Sequence, residues 1–505
     1  MSSAQEREDQ QAGRGLAIRV SDDGLVGSHV QLPETFETSV AWRNAEGLVI
    51  KADNVKFLFS DLRGDIVDGI AENLRRQPSA TGLKRPYVQL FFFSELSDDA
   101  FKDKGSRISE FVESCTDRST EWLVAYVSRQ GAEESRTDKA TLEKFRITLG
   151  LTRGGKDRLL VLCVNSTAAL ESVSWEELSL RLRESLNISI QLKIESLKKE
   201  AAQVHANKLL PGWSFCNYVH AYVPQAELFV QLSRLDLALV IFEELEQVLI
   251  ERKEGGTGFF AADPGEFVAN IIDPKAKGYR KMIASGTITE LDLRTYLFSS
   301  RVEILMEQDR KVQVGETGIN FLEFIQGRFE EEFEQTKSEY LRFASYLWGF
   351  SASRTLIDAL SGLIGQAGKE DGSEKATRRK TAKLIAMCCQ HARDQFRAMA
   401  EASIPDLFDG MSSAESIPKT PEVARLIHHP DLQGALESRE SAWEFYTEMT
   451  MQTAEVFRAA GRSSFADRIQ IELGQLCLEK GFEKQALELL ANHCHQFSVK
   501  GGWDL

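Results

Sequence analysis

The sequence Leu-Leu-Pro-Gly-Trp-Ser-Phe-Cys-Asn-Tyr at residues 209–218 divides the chain into two parts with different patterns. Pro211 ends the preceding helical pattern, because proline has no amide hydrogen to donate and disfavours helix in the residue before it. Trp213, Phe215 and Tyr218 follow at once, and each would bury roughly 150–250 Å² if covered. We therefore predict a domain boundary here that is packed, not a free linker.

Before this boundary, apolar strand patterns alternate with helical ones. Tyr87-Val-Gln-Leu-Phe-Phe-Phe is almost continuously apolar, as expected of a strand buried on both faces. The other strand patterns lie at Val55–Ser60, Trp122–Val127 and Leu159–Val164, and helical patterns lie at Asp98–Val112 and Lys139–Leu149. Alternation at this spacing is typical of parallel βαβ units. We predict a disordered tail at residues 1–15, then an α/β domain at residues 16–210 with a mostly parallel sheet of GTPase-like topology.

A long amphipathic helix is predicted to close the α/β domain. Its apolar positions recur every three or four residues from Leu178 to Val204. Ser174-Trp-Glu-Glu has the spacing of a capping box, in which the serine accepts from a free amide and the glutamate reaches back. We therefore expect this helix to begin next to Ser174.

Beyond the boundary the pattern is helical, and we predict an α-solenoid over residues 211–500 with loop insertions near 255–285, 368–380 and 404–421. A first hairpin is predicted from the helical patterns Pro224–Ser233 and Leu235–Glu251. The clearest tetratricopeptide-like positions are Leu473, Gly474, Cys477, Gly481, Ala486 and Leu490. Helical pairs of this kind stack into extended scaffolds because no pair buries its apolar face alone.

The composition indicates a cytoplasmic protein that does not bind nucleic acid. The 505 residues have a formal net charge of −15, and nucleic acid and anionic surfaces both require clustered lysine and arginine. The polar N-terminus has no apolar core of a signal peptide, and no apolar run is long enough to span a membrane. The seven cysteines are scattered and odd in number, which favours reduced thiols over a disulfide framework.

One segment approaches the phosphate-loop pattern. Gly150-Leu-Thr-Arg-Gly-Gly-Lys-Asp fits it up to Asp157, which stands where a serine or threonine should hold magnesium. The segment also runs from a helix into a strand, whereas a phosphate loop runs from a strand into a helix. We therefore interpret it as a glycine-rich turn.

The chain has no pattern of a catalytic, cofactor or metal site. In His493-Cys-His495, His428-His429 and Cys388-Cys389, neighbouring side chains on a helix point about 100° apart and do not converge on one ion. Cys389 with His391 lacks an oxyanion-hole pattern, so buried structural thiols are the favoured interpretation. We predict that the protein is not an enzyme and holds no cofactor or metal.

From Tyr87 to Arg301 the order of these features resembles the large subunit of the TRAPP II vesicle-tethering complex, the TRAPP complex subunit ten family. Pro211, Gly212, Trp213, Phe215 and Cys216 match the first family motif. Leu293, Arg294, Tyr296, Leu297, Phe298 and Ser299 match the second. Ser300 replaces an expected arginine, and Arg301 follows one place late. Large apolar groups dominate both motifs, which favours packing over partner contact.

The resemblance implies a non-catalytic scaffold subunit of a guanine-nucleotide exchange complex for Rab-family GTPases, peripherally associated with Golgi membranes through the assembly. The implied partners are the small TRAPP core subunits, which perform the exchange, the other large TRAPP II subunit, and a Rab reached through the complex. Family members continue into β-sandwich domains after the solenoid, and we expect this chain to lack them.

Two alternatives from other classes stay open. The helical half is also compatible with a generic α-solenoid coat or cargo adaptor, which its partners would distinguish. The α/β domain is also compatible with a nucleotide-binding, GTPase-like module, although it lacks a phosphate loop.

Overall fold

The structure is a computed structural model that describes residues 16–22, 30–61, 86–94, 98–117, 120–129, 136–152, 157–164, 169–210, 213–251, 259, 270–363, 372–404, 407–408 and 430–491. The chain divides into two compact units. The first comprises Met1–Leu245 with Arg280–Gly286, and the second Glu246–Tyr279 with Thr287–Leu505. The predicted tail at residues 1–15 lies outside the described residues.

The first unit contains a mixed sheet. Its described strands are β1 (Leu16–Asp22), β2 (Thr35–Arg43), β3 (Val49–Asp61), β4 (Val88–Phe93), β5 (Glu121–Arg129) and β6 (Leu159–Val164). They are ordered β2-β3-β1-β4-β5-β6, and every neighbouring pair is parallel except the antiparallel pair β2 and β3. This arrangement confirms the predicted mostly parallel sheet of GTPase-like topology.

The apolar run at β4 lies in the centre of the sheet with every residue buried. Phe91 and Phe93 pack with helices α1 (Asp98–Asp117) and α2 (Arg136–Thr148) around the buried Phe145. Because side chains alternate along a strand, Leu90 and Phe92 face the opposite side of the sheet. The strand is therefore apolar throughout because both of its faces are covered.

Helix α3 (Ser172–Ala206) covers the exposed edge of β2. Asn187 accepts a hydrogen bond from the amide of Ala41 at 2.8 Å, and Gln191 accepts from the amide of Arg43 at 2.6 Å. An uncovered edge strand offers unpaired amides to other chains. The side chains of α3 occupy part of this edge.

The predicted capping box at Ser174 is wrong. The helix begins two residues earlier, and its N-cap Glu171 makes no side-chain cap bond. The hydroxyl of Ser174 instead accepts from the amide of Cys163 at 2.8 Å. The hydrogen bond to the end of β6 thus takes the place of the predicted cap bond. Either bond would pair a backbone amide that otherwise lacks a partner.

A helical hairpin follows, formed by α4 (Phe215–Gln231) and α5 (Leu235–Glu251). The first helix begins at Phe215 and not at Pro224 as predicted. Ser214 caps it by accepting from the amide of Asn217 at 3.2 Å. Buried residues on both sides of Pro224 keep the helix continuous in spite of the missing amide. The boundary after residue 210 stays a prediction, whereas the contacts group α4 and most of α5 with the sheet.

Helices dominate the rest of the described chain, which confirms the predicted helical solenoid. They are α6 (Tyr279–Ser285), α7 (Glu290–Glu307), α8 (Lys311–Thr336), α9 (Glu339–Leu363), α10 (Gly372–Ser403), α11 (Pro430–Ala435), α12 (Arg439–Ala459), α13 (Ser463–Glu479) and α14 (483–491). Sequence neighbours pack in turn, α7 with α8, α8 with α9 and α9 with α10, and then α10 packs with α12 and α12 with α13.

Glycines permit the closest helix contacts in this unit. A Cβ added at Gly315 would lie 2.7 Å from Leu384, and one at Gly318 would lie 2.9 Å from Leu356. At the terminal hairpin, a Cβ at Gly474 would lie 2.8 Å from Leu490. The small residues in the predicted tetratricopeptide-like positions thus mark a real close approach of α13 and α14.

Two of the predicted loops contain helix. The loop predicted near 368–380 is wrong over residues 372–380, which form the start of α10, and the one near 255–285 contains α6 at its end. The polar, charged composition that indicated a loop belongs instead to an exposed helix surface. The loop near 404–421 lies mostly outside the described residues and stays a prediction.

Candidate partner-binding site

The first family motif connects the end of α3 to the start of α4. Pro211 and Gly212 lie outside the described residues. The indole of Trp213 donates to the carbonyl of Val204 at 2.9 Å. Its ring centroid lies 6.3 Å from that of Tyr218, which is fully buried. In this position the tryptophan fixes the path of the chain between the two helices.

The same motif also supplies Phe215 and Cys216. Phe215 is buried with its ring centroid 5.9 Å from that of Tyr218, and Cys216 is a half-buried free thiol. Leu209 and Leu210, just before the motif, are 89% and 58% exposed. The described residues of the motif therefore make internal contacts, while the preceding leucines present an apolar surface.

The second motif lies on α7. Leu293, Tyr296, Leu297 and Phe298 are all buried in the second unit. Thr289 caps the helix by accepting from the amide of Asp292 at 3.1 Å. The ring of Phe298 stacks on that of Phe321 of α8, with centroids 4.1 Å apart. This helix is buried around most of its circumference, and its buried residues include polar ones such as Thr295 and Ser299.

Arg294 is the charged member of the second motif, and its side chain is only 10% exposed. It donates to Glu290 at 2.8 Å, and its guanidinium lies 4.6 Å from the ring centroid of Phe324. It also donates to the carbonyl of Leu249 at 3.4 Å. Burial lowers the pKa of Arg294 from its ordinary value, and the Glu290 carboxylate partly offsets that shift.

These residues border a cavity of about 270 Å³ between α5, α7 and α8. We call it the α7 groove. Its lining is Glu246, Leu249, Ile250, Arg294, Leu297, Phe298, Arg301, Thr317, Asn320, Phe321 and Phe324. Ile250 and Phe324 are 54% and 37% exposed, so the groove has an apolar rim. Arg301 pairs with Glu246 at 2.8 Å, so both arginines are neutralised by a glutamate.

The chemistry of the α7 groove suits an apolar side chain and not a phosphate. A phosphate site needs donors whose charge is not already neutralised, whereas Arg294 and Arg301 each face a carboxylate. Sequence reasoning found Arg294, Leu297 and Phe298. It missed Leu249 and Phe324, because only the packing of three separate helices brings them to one place.

The described start of the phosphate-like segment, residues 150–152, is a turn. Gly150 has a positive φ of 61°, and residues 153–156 lie outside the described residues. The carboxylate of Asp157 pairs with Arg146 at 2.8 Å, so the one acid in the pattern holds the turn to α2. In an α/β sheet of this type a phosphate loop would follow β1, where Asp23-Gly-Leu-Val-Gly-Ser-His has no lysine.

The other candidate clusters do not form sites. His493-Cys-His495 and His428-His429 lie outside the described residues. Burial raises the pKa of Cys388 to about 12 and that of Cys389 to about 11, so neither thiol is a ready nucleophile at neutral pH. Within the described ranges, no three His, Cys, Asp or Glu side chains come together in a way that would hold a metal ion.

No helix in the part of the chain that the structure describes combines the length and hydropathy needed to cross a bilayer.

No protein-family model matches the chain. Among curated proteins, it is similar to trafficking protein particle complex subunit 10 of Dictyostelium discoideum, with 22% identity over 312 residues that cover 55% of this chain and 21% of that protein. The Mus musculus subunit 10 is 22% identical over 413 residues, 77% of this chain and 32% of that protein.

A plant protein gives the same result. The trafficking protein particle complex II-specific subunit 130 homolog of Arabidopsis thaliana is 21% identical over 208 residues, 40% of this chain and 16% of that protein. The chain spans between 16% and 32% of the length of these three relatives. The predicted resemblance is thereby confirmed, and the chain is a distant relative of the trafficking protein particle (TRAPP) complex subunit 10 family.

Proposed function

We propose that the chain is a non-catalytic scaffold subunit of a TRAPP II-type complex, which tethers vesicles and promotes nucleotide exchange on a Rab-family GTPase at the Golgi. The observation that carries this proposal is the similarity to subunit 10 of Mus musculus. It covers 77% of the chain, which exceeds the share of either compact unit and therefore includes residues of both.

The architecture supports a scaffold. Helices α7 to α10 pack in sequence order, and α-solenoids of this kind present long surfaces to partners. The Cys388 thiol is buried, Arg301 pairs with Glu246, and Asp157 of the phosphate-like segment pairs with Arg146. The described residues therefore offer no arrangement for catalysis. The exchange chemistry would then belong to other subunits.

In this proposal the chain is cytoplasmic and joins the small TRAPP core subunits and the other large TRAPP II subunit. It influences the Rab, and reaches the Golgi membrane, through the assembly. The α/β domain and the solenoid, with the predicted boundary after residue 210, would be the two building blocks of the subunit.

We further propose that the α7 groove receives an apolar side chain from a neighbouring subunit. Its exposed rim residues Ile250 and Phe324 flank an apolar interior, which is the usual form of an interface hot spot. Trp213 and Phe215 have a different role, since their contacts are internal and support the join between α3 and α4.

Affinity purification of the tagged chain from its own cells, at moderate salt and with mass spectrometry of the co-purifying proteins, tests the proposal. We expect the small TRAPP core subunits. Phe324→Asp should reduce their recovery or that of the other large subunit. Phe465→Asp is the matched control, because Phe465 is a phenylalanine of similar exposure, 42% against 37%, on α13.

Recovery of coat or cargo proteins in place of TRAPP subunits, with folded and soluble bait, would favour the alternative of a generic solenoid adaptor. Equal recovery of TRAPP subunits with both phenylalanine variants would support membership in the complex but show that the α7 groove is not part of the interface.

The nucleotide-binding alternative has its own test. Titration of the purified chain with guanine and adenine nucleotides, in the presence of magnesium, should show no binding tighter than roughly 100 μM, a weak affinity on the usual scale. Tighter, saturable binding would identify the α/β domain as an active nucleotide module.

A further inference from the structure

The first three turns or so of α10 form a cationic surface that the proposed scaffold function does not explain. Lys375, Arg378, Arg379, Lys380 and Lys383 lie within nine residues, and the next acid after Glu374 is Asp394. We call these five residues the α10 basic cluster. It stands in contrast to the chain as a whole, whose net charge is −15.

The cluster is presented to solvent. Every side chain from Glu374 to Lys380 is exposed or half-buried, and Thr381 is the first buried residue after them. Lys375, Arg379 and Lys383 repeat every four residues, so they lie on one face with a rise of about 6 Å between successive members. The start of α10 therefore projects beyond the core as a polar helix end.

The charges of the cluster are largely available. Lys375, Arg379, Lys380 and Lys383 form no salt bridge with any residue that the structure describes, in contrast to the arginines of the α7 groove. Glu374 is the one acid on this part of the helix. Glu370 and Asp371 precede the helix, so residues 370–383 combine three acids with the five basic residues and keep a net charge of +2. The sequence neighbours therefore reduce the positive potential of the cluster but do not cancel it.

The position of Lys375 in the first turn of the helix adds to the positive potential there. The N-terminal end of a helix carries the equivalent of about half a positive charge, and lysines or arginines there are unfavourable in an isolated helix. Lys375 is the fourth residue of α10, which is 32 residues long. An arrangement that costs stability in the free protein is expected where a negatively charged surface binds.

We propose that the α10 basic cluster binds anionic lipid headgroups, so that this chain contacts the membrane surface directly. Four to eight lysines and arginines on one helix are typical of binding to anionic phospholipids, with each residue near the surface contributing. The cluster lies on an exposed helix end whose basic side chains are spread over about 12 Å, which suits a broad lipid surface better than a single anionic side chain. The acidic remainder of the chain would be repelled by that surface and would orient the protein with α10 toward it.

Vesicle co-sedimentation of the purified full chain tests this inference without any other TRAPP subunit, so its result does not depend on the proposed function. The chain should bind vesicles in which about one fifth of the lipid is phosphatidylserine and should not bind pure phosphatidylcholine. Raising the salt from about 0.1 M to about 0.5 M should release it, since the Debye length falls below the reach of the lysines.

The decisive variant is Lys375→Gln, Arg379→Gln, Lys380→Gln and Lys383→Gln together, which keeps side-chain length and helix propensity. We expect vesicle binding to weaken at least tenfold, because each basic residue near an anionic surface contributes to binding. The matched control neutralises four other exposed lysines, Lys51→Gln, Lys198→Gln, Lys199→Gln and Lys208→Gln. The control chain should bind like the unmodified one.

Thermal unfolding of both variants shows that each is folded before binding is compared. Equal vesicle binding by the two variants would overturn the proposal, and so would equal binding of the unmodified chain to neutral and anionic vesicles. If the α10 variant instead loses an acidic protein in the affinity purification while vesicles fail to bind the unmodified chain, the cluster is a protein contact and the lipid proposal is wrong.

Discussion

The indole Nε1 of Trp213 donates a hydrogen bond to the backbone carbonyl of Val204, 2.9 Å away, across the turn between α3 and α4. The bond joins the last turns of the helix that covers the sheet to the first residues of the helical hairpin. The ring also contacts the fully buried Tyr218. One side chain thus holds both the path of the chain and the aromatic cluster beneath it.

Two substitutions of Trp213 separate the contribution of its hydrogen bond from that of its aromatic ring. Trp213→Ala should lower the free energy of unfolding of the first unit by about 2–4 kcal/mol, because it removes a half-buried large aromatic group. Trp213→Phe should cost about 1 kcal/mol, the net value of one hydrogen bond. Chemical denaturation followed by far-ultraviolet circular dichroism measures both, and an unchanged transition for Trp213→Ala would identify Trp213 as a contact residue.

The packing of α8 against α9 depends on Gly318. A Cβ at this position would lie 2.9 Å from both terminal carbons of Leu356, which is fully buried. Gly318→Ala should therefore destabilise the second unit by about 1–3 kcal/mol through overpacking.

Gly327→Ala on the same helix is the control for that change. A Cβ there meets nothing within 4 Å, so the substitution should be neutral or stabilising by up to about 1 kcal/mol, the difference in helix propensity. Thermal unfolding of the two alanine variants provides the comparison. If both alanine variants melt at the same temperature, α8 and α9 are less closely packed than the structure shows.

The terminal hairpin offers a test by double substitution. Gly474→Ala would place a Cβ 2.8 Å from Leu490, so it should destabilise the hairpin by about 1–3 kcal/mol. Leu490→Ala creates room for that methyl group. The double variant should lose less stability than the sum of the two single variants, and strict additivity would show that the two residues do not touch.

The stability of the second unit should depend on pH through His391. Its Nδ1 lies 2.8 Å from the hydroxyl of Ser353, and burial lowers the pKa of His391 below its ordinary value of 6.5 although Asp394 opposes the shift. Below pH 6.5 His391 binds a proton in the unfolded chain, whereas in the folded chain it stays neutral until the pH reaches its lowered pKa. The contribution of neutral His391 to the free energy of unfolding is therefore complete above pH 6.5. It is lost as the pH falls through the pKa of His391 in the folded chain.

His391→Gln removes this titration. The unmodified chain should lose up to about 1.4 kcal/mol more stability than the variant for each pH unit below 6.5, within the window set by the lowered pKa. Denaturant midpoints measured at pH 7.5 and at lower values provide the comparison. Parallel pH profiles for the two chains would show that His391 is accessible to protons in the folded state.

Sequence patterns predicted most of the α/β part because the buried residues of each strand and helix there form a pattern within a short stretch of sequence. The apolar run at β4 and the alternation of strands and helices were sufficient to predict a mostly parallel sheet. The same reasoning failed where a distant group competed with a local one. Ser174 caps no helix because the amide of Cys163 binds its hydroxyl.

Charge patterning misled the prediction of loops. Residues 372–380 are polar enough to indicate a break, yet they form the start of α10. Periodicity reports only the buried face of a helix, so a helix end that projects into solvent gives no apolar pattern.

The sequence by itself determined the alternation of strands and helices in the first part, the helical second part and the similarity to subunit 10 of the TRAPP complex, because motif order and apolar periodicity are properties of neighbouring residues. Tertiary structure alone decided that Leu249 meets Arg294, that β2 runs antiparallel to β3, and that the α10 basic cluster stands clear of the core. These relationships depend on how separate helices and strands pack together, and packing joins residues that are far apart in the chain.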